Sequence, residues 1–209
     1  TGVTMADVNA DGWLDIYVTV VSNKYGLTGS NQLYINNQNN TFTESAEKYG
    51  LNLSCAGTQS AFFDYDKDGD LDCYILNQSH HPHSNIVDTS FRRKYDSISG
   101  DRLYRNDITS SGKFVDISRQ AGIYQSTLGY GLGLAIADIN NDGWEDIYIG
   151  NDFHENDYYY VNNRNGTFSE EGAKHFGHYS RFSMGNDVAD YNNDGHLDII
   201  TVDMLPDKE

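Results

Sequence analysis

Basic side chains are the first scarcity. Only 14 Lys and Arg stand against 31 Asp and Glu in 209 residues, a formal net charge of −17. So acidic a chain is repelled by phosphate backbones and anionic bilayers, which excludes general nucleic-acid binding. No apolar run approaches the roughly 18 residues of a membrane-spanning helix, so no membrane span is expected. The chain opens at Thr1 with neither Met nor a leader-like stretch, and the expectation is a mature product or a fragment. Cysteine is down to two, Cys55 and Cys73, which fit neither CxxC nor a zinc spacing. One disulfide in an oxidising compartment and two half-buried thiols both stay open. HExxH, GxSxG, P-loop and Cys–His nucleophile signatures are missing, which removes the common hydrolase and nucleotide-binding classes. Proline is scarce as well, at 2, whereas Gly reaches 20, Asn 21 and Tyr 16. Asn and Gly tolerate positive φ and Tyr suits a half-buried sheet, so many short strands joined by tight turns are expected.

Internal repetition supplies the rest. Four segments, at 7–15, 64–72, 138–146 and 190–198, share the pattern D-x-[DN]-x-D-G-x-x-D. A second phrase recurs between copies: Leu33-Tyr-Ile-Asn-Asn37, Leu103-Tyr-Arg-Asn106 and Tyr159-Tyr-Val-Asn-Asn163, each followed by an aromatic residue within a short strand-like run. Oxygen side chains at positions 1, 3, 5 and 9, a backbone carbonyl at 7 and Gly at 6 form an oxygen cage of the size Ca²⁺ accepts. The side-chain ligands predicted are Asp7, Asn9, Asp11 and Asp15; Asp64, Asp66, Asp68 and Asp72; Asp138, Asn140, Asp142 and Asp146; and Asp190, Asn192, Asp194 and Asp198. Trp13, Asp70, Trp144 and His196 are expected to offer only their carbonyls. Calcium is the expected cofactor, about four ions, one per loop.

An EF-hand needs a Glu at position 12 and flanking helices. Position 12 here is Val18, Ile75, Ile149 or Thr201, inside β-branched and aromatic runs. Each loop is therefore read as a hairpin between two strands. With the second phrase, the unit becomes four antiparallel strands of about 50 residues, the size of a β-propeller blade. Gly2, Gly57, Gly129, Gly131 and Gly133 fall where inner strands crowd a central channel.

These loops, with the intervening Leu-Tyr-x-Asn and Gly-Thr-Phe phrases, resemble FG-GAP/VCBS repeats, the blades of integrin-α-type propellers. Longer stretches are similar to bacterial, particularly Bacteroidetes, members of the CRTAC/ASPIC-UnbV family. They are Phe62-Phe-Asp-Tyr-Asp-Lys-Asp-Gly-Asp-Leu-Asp72, Ser99-Gly-Asp-Arg-Leu-Tyr-Arg-Asn106, Gly150-Asn-Asp-Phe-His-Glu-Asn-Asp-Tyr158, Phe182-Ser-Met-Gly-Asn186 and Val202-Asp-Met-Leu-Pro206. The resemblance implies a secreted or outer-membrane-attached protein with a seven-bladed propeller. The fold expected is thus all-β, with about three and a half blades of an incomplete propeller across residues 1–209. Further blades on both sides, or neighbouring subunits, are expected to cover its open ends.

Residues 78–100 form an insertion carrying His80, His81 and His83 and the basic run Arg92-Arg-Lys94. The histidines lack a spacing that aims them at one metal, so a solvated loop is the reading. The basic run fits either pairing with the chain's own carboxylates or docking of a carboxylated glycan or acidic partner. Asp152, His154 and Glu155 are read as loop-fixing groups, and no catalytic residue is assigned. The leading function is a calcium-stabilised, non-catalytic extracellular binding or adhesion module for a protein or glycan, with Tyr158, Tyr159 and Tyr160 as stacking faces if exposed. A polysaccharide-active enzyme or enzyme accessory on a propeller is the alternative.

Overall fold

The computed structural model describes residues 2–22, 26–80 and 88–204. His81 and His83 lie outside them. Three four-stranded antiparallel sheets follow one another in chain order. The first is β1 (Val3–Ala6), β2 (Asp15–Val18), β3 (Gln32–Asn36) and β4 (Phe42–Glu44). The second is β5 (Gly57–Phe63), β6 (Asp72–Asn77), β7 (Arg102–Asp107) and β8 (Lys113–Asp116). The third is β9 (Gly131–Ala137), β10 (Asp146–Asn151), β11 (Tyr158–Asn162) and β12 (Phe168–Glu170). A hairpin of β13 (Ser183–Ala189) and β14 (Asp198–Asp203) completes the set. The first strands of successive units lie against one another, β1 on β5, β5 on β9 and β9 on β13, so the sheets fan out as propeller-like blades. The fold is all-β, and the expected blade pattern is the one observed. No helix among the described residues is long and apolar enough to cross a membrane.

Alternation along β6 shows how the blades are held together. Cys73 and Ile75 enter a core with Tyr17, Leu33, Leu51 and Phe114, while Tyr74 and Leu76 enter the next core with Ile147, Ile149, Tyr158 and Tyr160. Successive side chains of a strand point to opposite faces, so one strand serves both cores. All six residues of β6 are buried for this reason, and all six of β10 are buried too, with Ile147 and Ile149 in the second core and Tyr148 against Phe176. Burying such an apolar side chain contributes about 1.5–3 kcal/mol. In the terminal hairpin, by contrast, Ile200 and Val202 are more than half exposed.

Short helices escaped the sequence reading because four residues carry no helical periodicity. One-turn helices α1 (Ala46–Tyr49), α2 (Ile108–Ser111), α3 (Ser118–Ala121) and α4 (Gly172–His175) fill corners of the blades. α1, α3 and α4 each follow an outer strand. At the end of α3, Gly122 adopts φ +85°, and a Cβ there would lie 2.7 Å from the Phe168 carbonyl of the next blade. Only glycine meets both demands.

Three expectations need correction or resolution. Tyr158, Tyr159 and Tyr160 are buried, at 2%, 2% and 0% exposure, so they are core rings and not stacking faces. Tyr158 and Tyr160 face the core of Ile147 and Ile149, and Tyr159 on the opposite face packs against His175 and Phe176, which turns every residue of Tyr-Tyr-Tyr inward. Cys55 and Cys73 are both free and fully buried. Burial pushes the Cys55 thiol up to about 11. In the insertion, a 3-10 helix spans Thr89–Arg93, and Arg92 pairs with Glu155 rather than standing free. Glu155 also accepts from the Asn156 N–H, and Asp152 from Phe153, which agrees with a loop-fixing role.

Candidate metal centres

Each repeat loop joins the first two strands of its blade, and the four loops share one hydrogen-bond scheme. The position-1 carboxylate accepts from the backbone N–H groups of positions 5 and 6. For Asp7 these are Asp11 and Gly12 at 3.0 and 2.7 Å, and for Asp64 they are Asp68 and Gly69 at 3.1 Å each. Asp138 receives Asp142 and Gly143 at 2.8 and 2.7 Å, and Asp190 receives Asp194 and Gly195 at 3.0 and 2.9 Å. The position-5 carboxylate then accepts from the position-7 N–H: Asp11 from Trp13, Asp68 from Asp70, Asp142 from Trp144 and Asp194 from His196. These bonds close the turn into an arc that fixes the carboxylates of positions 1 and 5.

Closing that arc requires left-handed backbone at two positions. Position 6 is Gly in every loop, with φ between +87° and +97°. Position 4 is not: Ala10, Lys67, Asn141 and Asn193 sit at φ +56° to +61°. This strained position was missed in the sequence, because nothing about Ala or Lys announces a positive φ.

Position 9 has a double role that the spacing alone did not disclose. Asp15 Oδ1 accepts from the Asn36 N–H and Oδ2 from the Val8 N–H, at 2.8 and 3.1 Å. Asp72 binds Asn106 and Tyr65 in the same way, at 2.8 and 3.2 Å. Asp146 takes the Asn162 N–H and the Tyr159 hydroxyl, both at 2.9 Å. The partner is the Asn that ends the Leu-Tyr-x-Asn phrase, so the second recurring phrase exists to clamp the first. These three carboxylates are almost completely buried, and desolvation pushes Asp72 up to about 8 despite its two N–H donors.

The second loop is the most acidic of the four. Ligand oxygens of Asp64, Asp66 and Asp72 lie within 4.8 Å of one another. Position 3 is Asn in the other loops, and Asn9 and Asn192 turn their amide N–H groups on Asp11 and Asp194 at 3.1 Å. Asp66 cannot donate, and its Oδ1 is buried without a partner, as is Asp70 Oδ1. Burial, with Asp68, Asp66 and Asp64 beside it, lifts Asp70 to about 6. Three converging carboxylates, one of them Asp66 with an oxygen that has no partner, suit a hard divalent cation.

Blades whose first hairpin carries an acidic nine-residue loop define a propeller-type repeat protein with candidate cation sites. A model of the FG-GAP-like repeat matches residues 7–75 and 138–201, which contain all four loops. The chain belongs to the FG-GAP-like repeat family. Among solved structures it is similar to a lectin of Agrocybe aegerita that recognises non-reducing terminal N-acetylglucosamine, at 17% identity and a TM-score of 0.50. The alignment covers 95% of this chain and 46% of the lectin. Bacillus licheniformis rhamnogalacturonan lyase PL11 is similar at 16% identity and a TM-score of 0.50, over 97% of this chain and 40% of that one. The chain thus spans less than half the length of either structure, and the likeness is one of fold. No curated protein matches it.

Proposed function

We propose that this protein is a calcium-stabilised, non-catalytic binding module of the cell exterior, whose stapled blades present loops to a glycan or protein partner. The observation that carries the reading is the fourfold repetition of one carboxylate-orienting scheme, with unpartnered oxygens in the second loop. Thirteen carboxylates among the predicted side-chain ligands repel one another at close range, and a divalent ion in each loop replaces that repulsion with attraction. The ions act as staples, since each loop sets the pairing of the first two strands of its blade. The lectin and lyase similarities support a carbohydrate-facing role, as does the rigid two-core scaffold. The finer relationship to bacterial CRTAC/ASPIC-UnbV proteins, with seven blades and a surface location, belongs to the same proposal.

Two measurements test it together. Elemental analysis of the purified protein should find calcium, and a glycan array should return a ligand without any release of reducing ends. Turnover of a polysaccharide, abolished by substituting an Asp or Glu outside the loops, would replace this reading with an enzymatic one.

A further inference from the structure

The arginines near the insertion separate into two groups. Arg92, Arg102, Arg105 and Arg164 each meet a carboxylate, on Glu155, Asp116, Asp107 and Asp142. Arg93 and Arg119 meet none among the described residues, although acids outnumber bases by more than two to one. Both line one cavity of about 430 Å³, with Tyr95, Tyr124 and Gln125. A second cavity of about 480 Å³ shares Tyr95, Arg119 and Gln125 with the first and adds Asp116 and Gln120. The two are joined parts of one groove, each within the size range of small-molecule sites.

Its walls are fixed before any ligand arrives. The Arg93 guanidinium lies 5.6 Å from the centroid of the Tyr124 ring. Tyr124 is itself held edge-on by Tyr158 and Tyr160, and its N–H donates to the Tyr160 hydroxyl at 3.0 Å. Tyr95 is 64% exposed on one side, while the buried Arg102 guanidinium lies 5.1 Å from its centroid. Arg102 in turn donates to the carbonyls of Asp96, Gly100 and Asp101. The Asp96 N–H bonds the Gln125 carbonyl at 2.6 Å and ties the insertion to the opposite wall.

We infer that this groove binds an acidic oligosaccharide, with the carboxylate of a uronate residue between Arg93 and Arg119 and a sugar face on Tyr95. Guanidinium matches a planar carboxylate bidentately, and an exposed tyrosine ring packs on the C–H face of a sugar. A monoanion fits better than a phosphate dianion, because the field of a −17 chain and the nearby Asp116 resist a second negative charge. Asp116 Oδ1 already holds the Ser118 N–H and hydroxyl, and Oδ2 lies 3.8 Å from Arg102 Nε yet stays open enough to solvent to accept from the hydroxyl of a neighbouring sugar. The inference rests on the binding-module reading and gives it a site.

The test is calorimetric titration of the full chain with trigalacturonate, beside neutral galactotriose. Binding should weaken with salt. Arg93→Ala and Arg119→Ala should each weaken it at least tenfold with an unchanged melting temperature, Tyr95→Ala should also weaken it, and galactotriose should not compete. The site is refuted if trigalacturonate does not bind, if the double arginine variant binds it as the parent does, or if galactotriose binds equally well. A ligand found on an array and retained by the double variant, with no trigalacturonate binding, refutes this site and leaves the module reading standing. Depolymerisation of trigalacturonate that requires Arg93 and Arg119 supports the site and ends the non-catalytic reading.

Discussion

The side-chain amide of Asn162 donates to the Tyr65 carbonyl at 2.8 Å, and this bond joins the third strand of one blade to the acidic loop of the blade before it. Asn106 does the same to Val8 at 3.2 Å. Each amide also reaches its own loop, at Glu145 and Leu71, so one residue welds two hairpins. Among the described residues the Asn36 amide has the own-loop bond alone, to Leu14.

Asn162→Ala should therefore cost about 1–3 kcal/mol, because it leaves a buried carbonyl unpaired and removes an inter-blade tie. Asn106→Ala should cost a similar amount, and Asn36→Ala clearly less. Urea denaturation of the three variants measures the order, and an equal loss in all three would contradict the inter-blade assignment.

Removing divalent ions should loosen the loops. At a hundredfold excess over its dissociation constant, a bound ion stabilises by about 2.7 kcal/mol per site. Chelation should lower the melting temperature and expose the loops to protease, and calcium should restore both. An unchanged melting curve in chelator speaks against the staple role.

The second loop should bind the cation most tightly, because Asp66 adds a fourth carboxylate where the other loops have Asn. Asp66→Asn recreates the pattern of the other loops and should weaken that site by about tenfold, on the order of 1.4 kcal/mol. Terbium titration can follow the first and third loops separately, since Trp13 and Trp144 at position 7 are built-in sensitisers. Trp13→Phe should silence the first loop without altering the calorimetric affinity of the second.

A buried carboxylate far from the loops gives a pH signature. Asp101 Oδ1 accepts from the Asn77 N–H and Oδ2 from the Tyr74 hydroxyl, at 2.8 and 3.0 Å. Burial raises it to about 7, and Asp157, in the equivalent place in the third blade, to about 6. A raised carboxylate binds its proton more tightly when folded, so the stability these groups contribute is full below about pH 4 and is lost progressively as pH rises through 6 to 7. The first blade has Asn31 here, with its amide on the Tyr17 hydroxyl and its carbonyl on the Val20 N–H. Asp101→Asn should therefore stabilise at pH 8 by about 1–3 kcal/mol and gain little at about pH 4. Equal effects at both pH values would show that Asp101 titrates normally.

Cys55 and Cys73 should resist thiol reagents in the native protein, since both are buried and burial raises their thiols. Labelling should appear only with unfolding, and rapid modification of either would contradict the described core.

The loops were legible because five of their nine positions each carry a chemical demand: acid, turn and acid again. Strand identity was legible for the same reason, as Asp-Ile-Tyr-Ile and Asp-Cys-Tyr-Ile-Leu permit little else. What the sequence hid depends on neighbours. Nothing in Tyr158-Tyr-Tyr160 reveals that both of its faces are covered, and Arg93 and Arg92 are indistinguishable until Glu155 claims one of them. The clamp of Asn106 on Asp72 spans 34 residues, and so becomes visible only when β6 and β7 pair. The strain at Lys67 has no side-chain signature at all.

The alternation of Cys73 and Ile75 with Tyr74 and Leu76 makes β6 a party wall between two rooms. A blade of this kind has no interior of its own. Its folding unit is the pair, and damage at one position of the wall spreads to both sides. A single repeat therefore cannot be excised and kept as a working part, and enlargement of such an array has to add a new outer room rather than an isolated sheet.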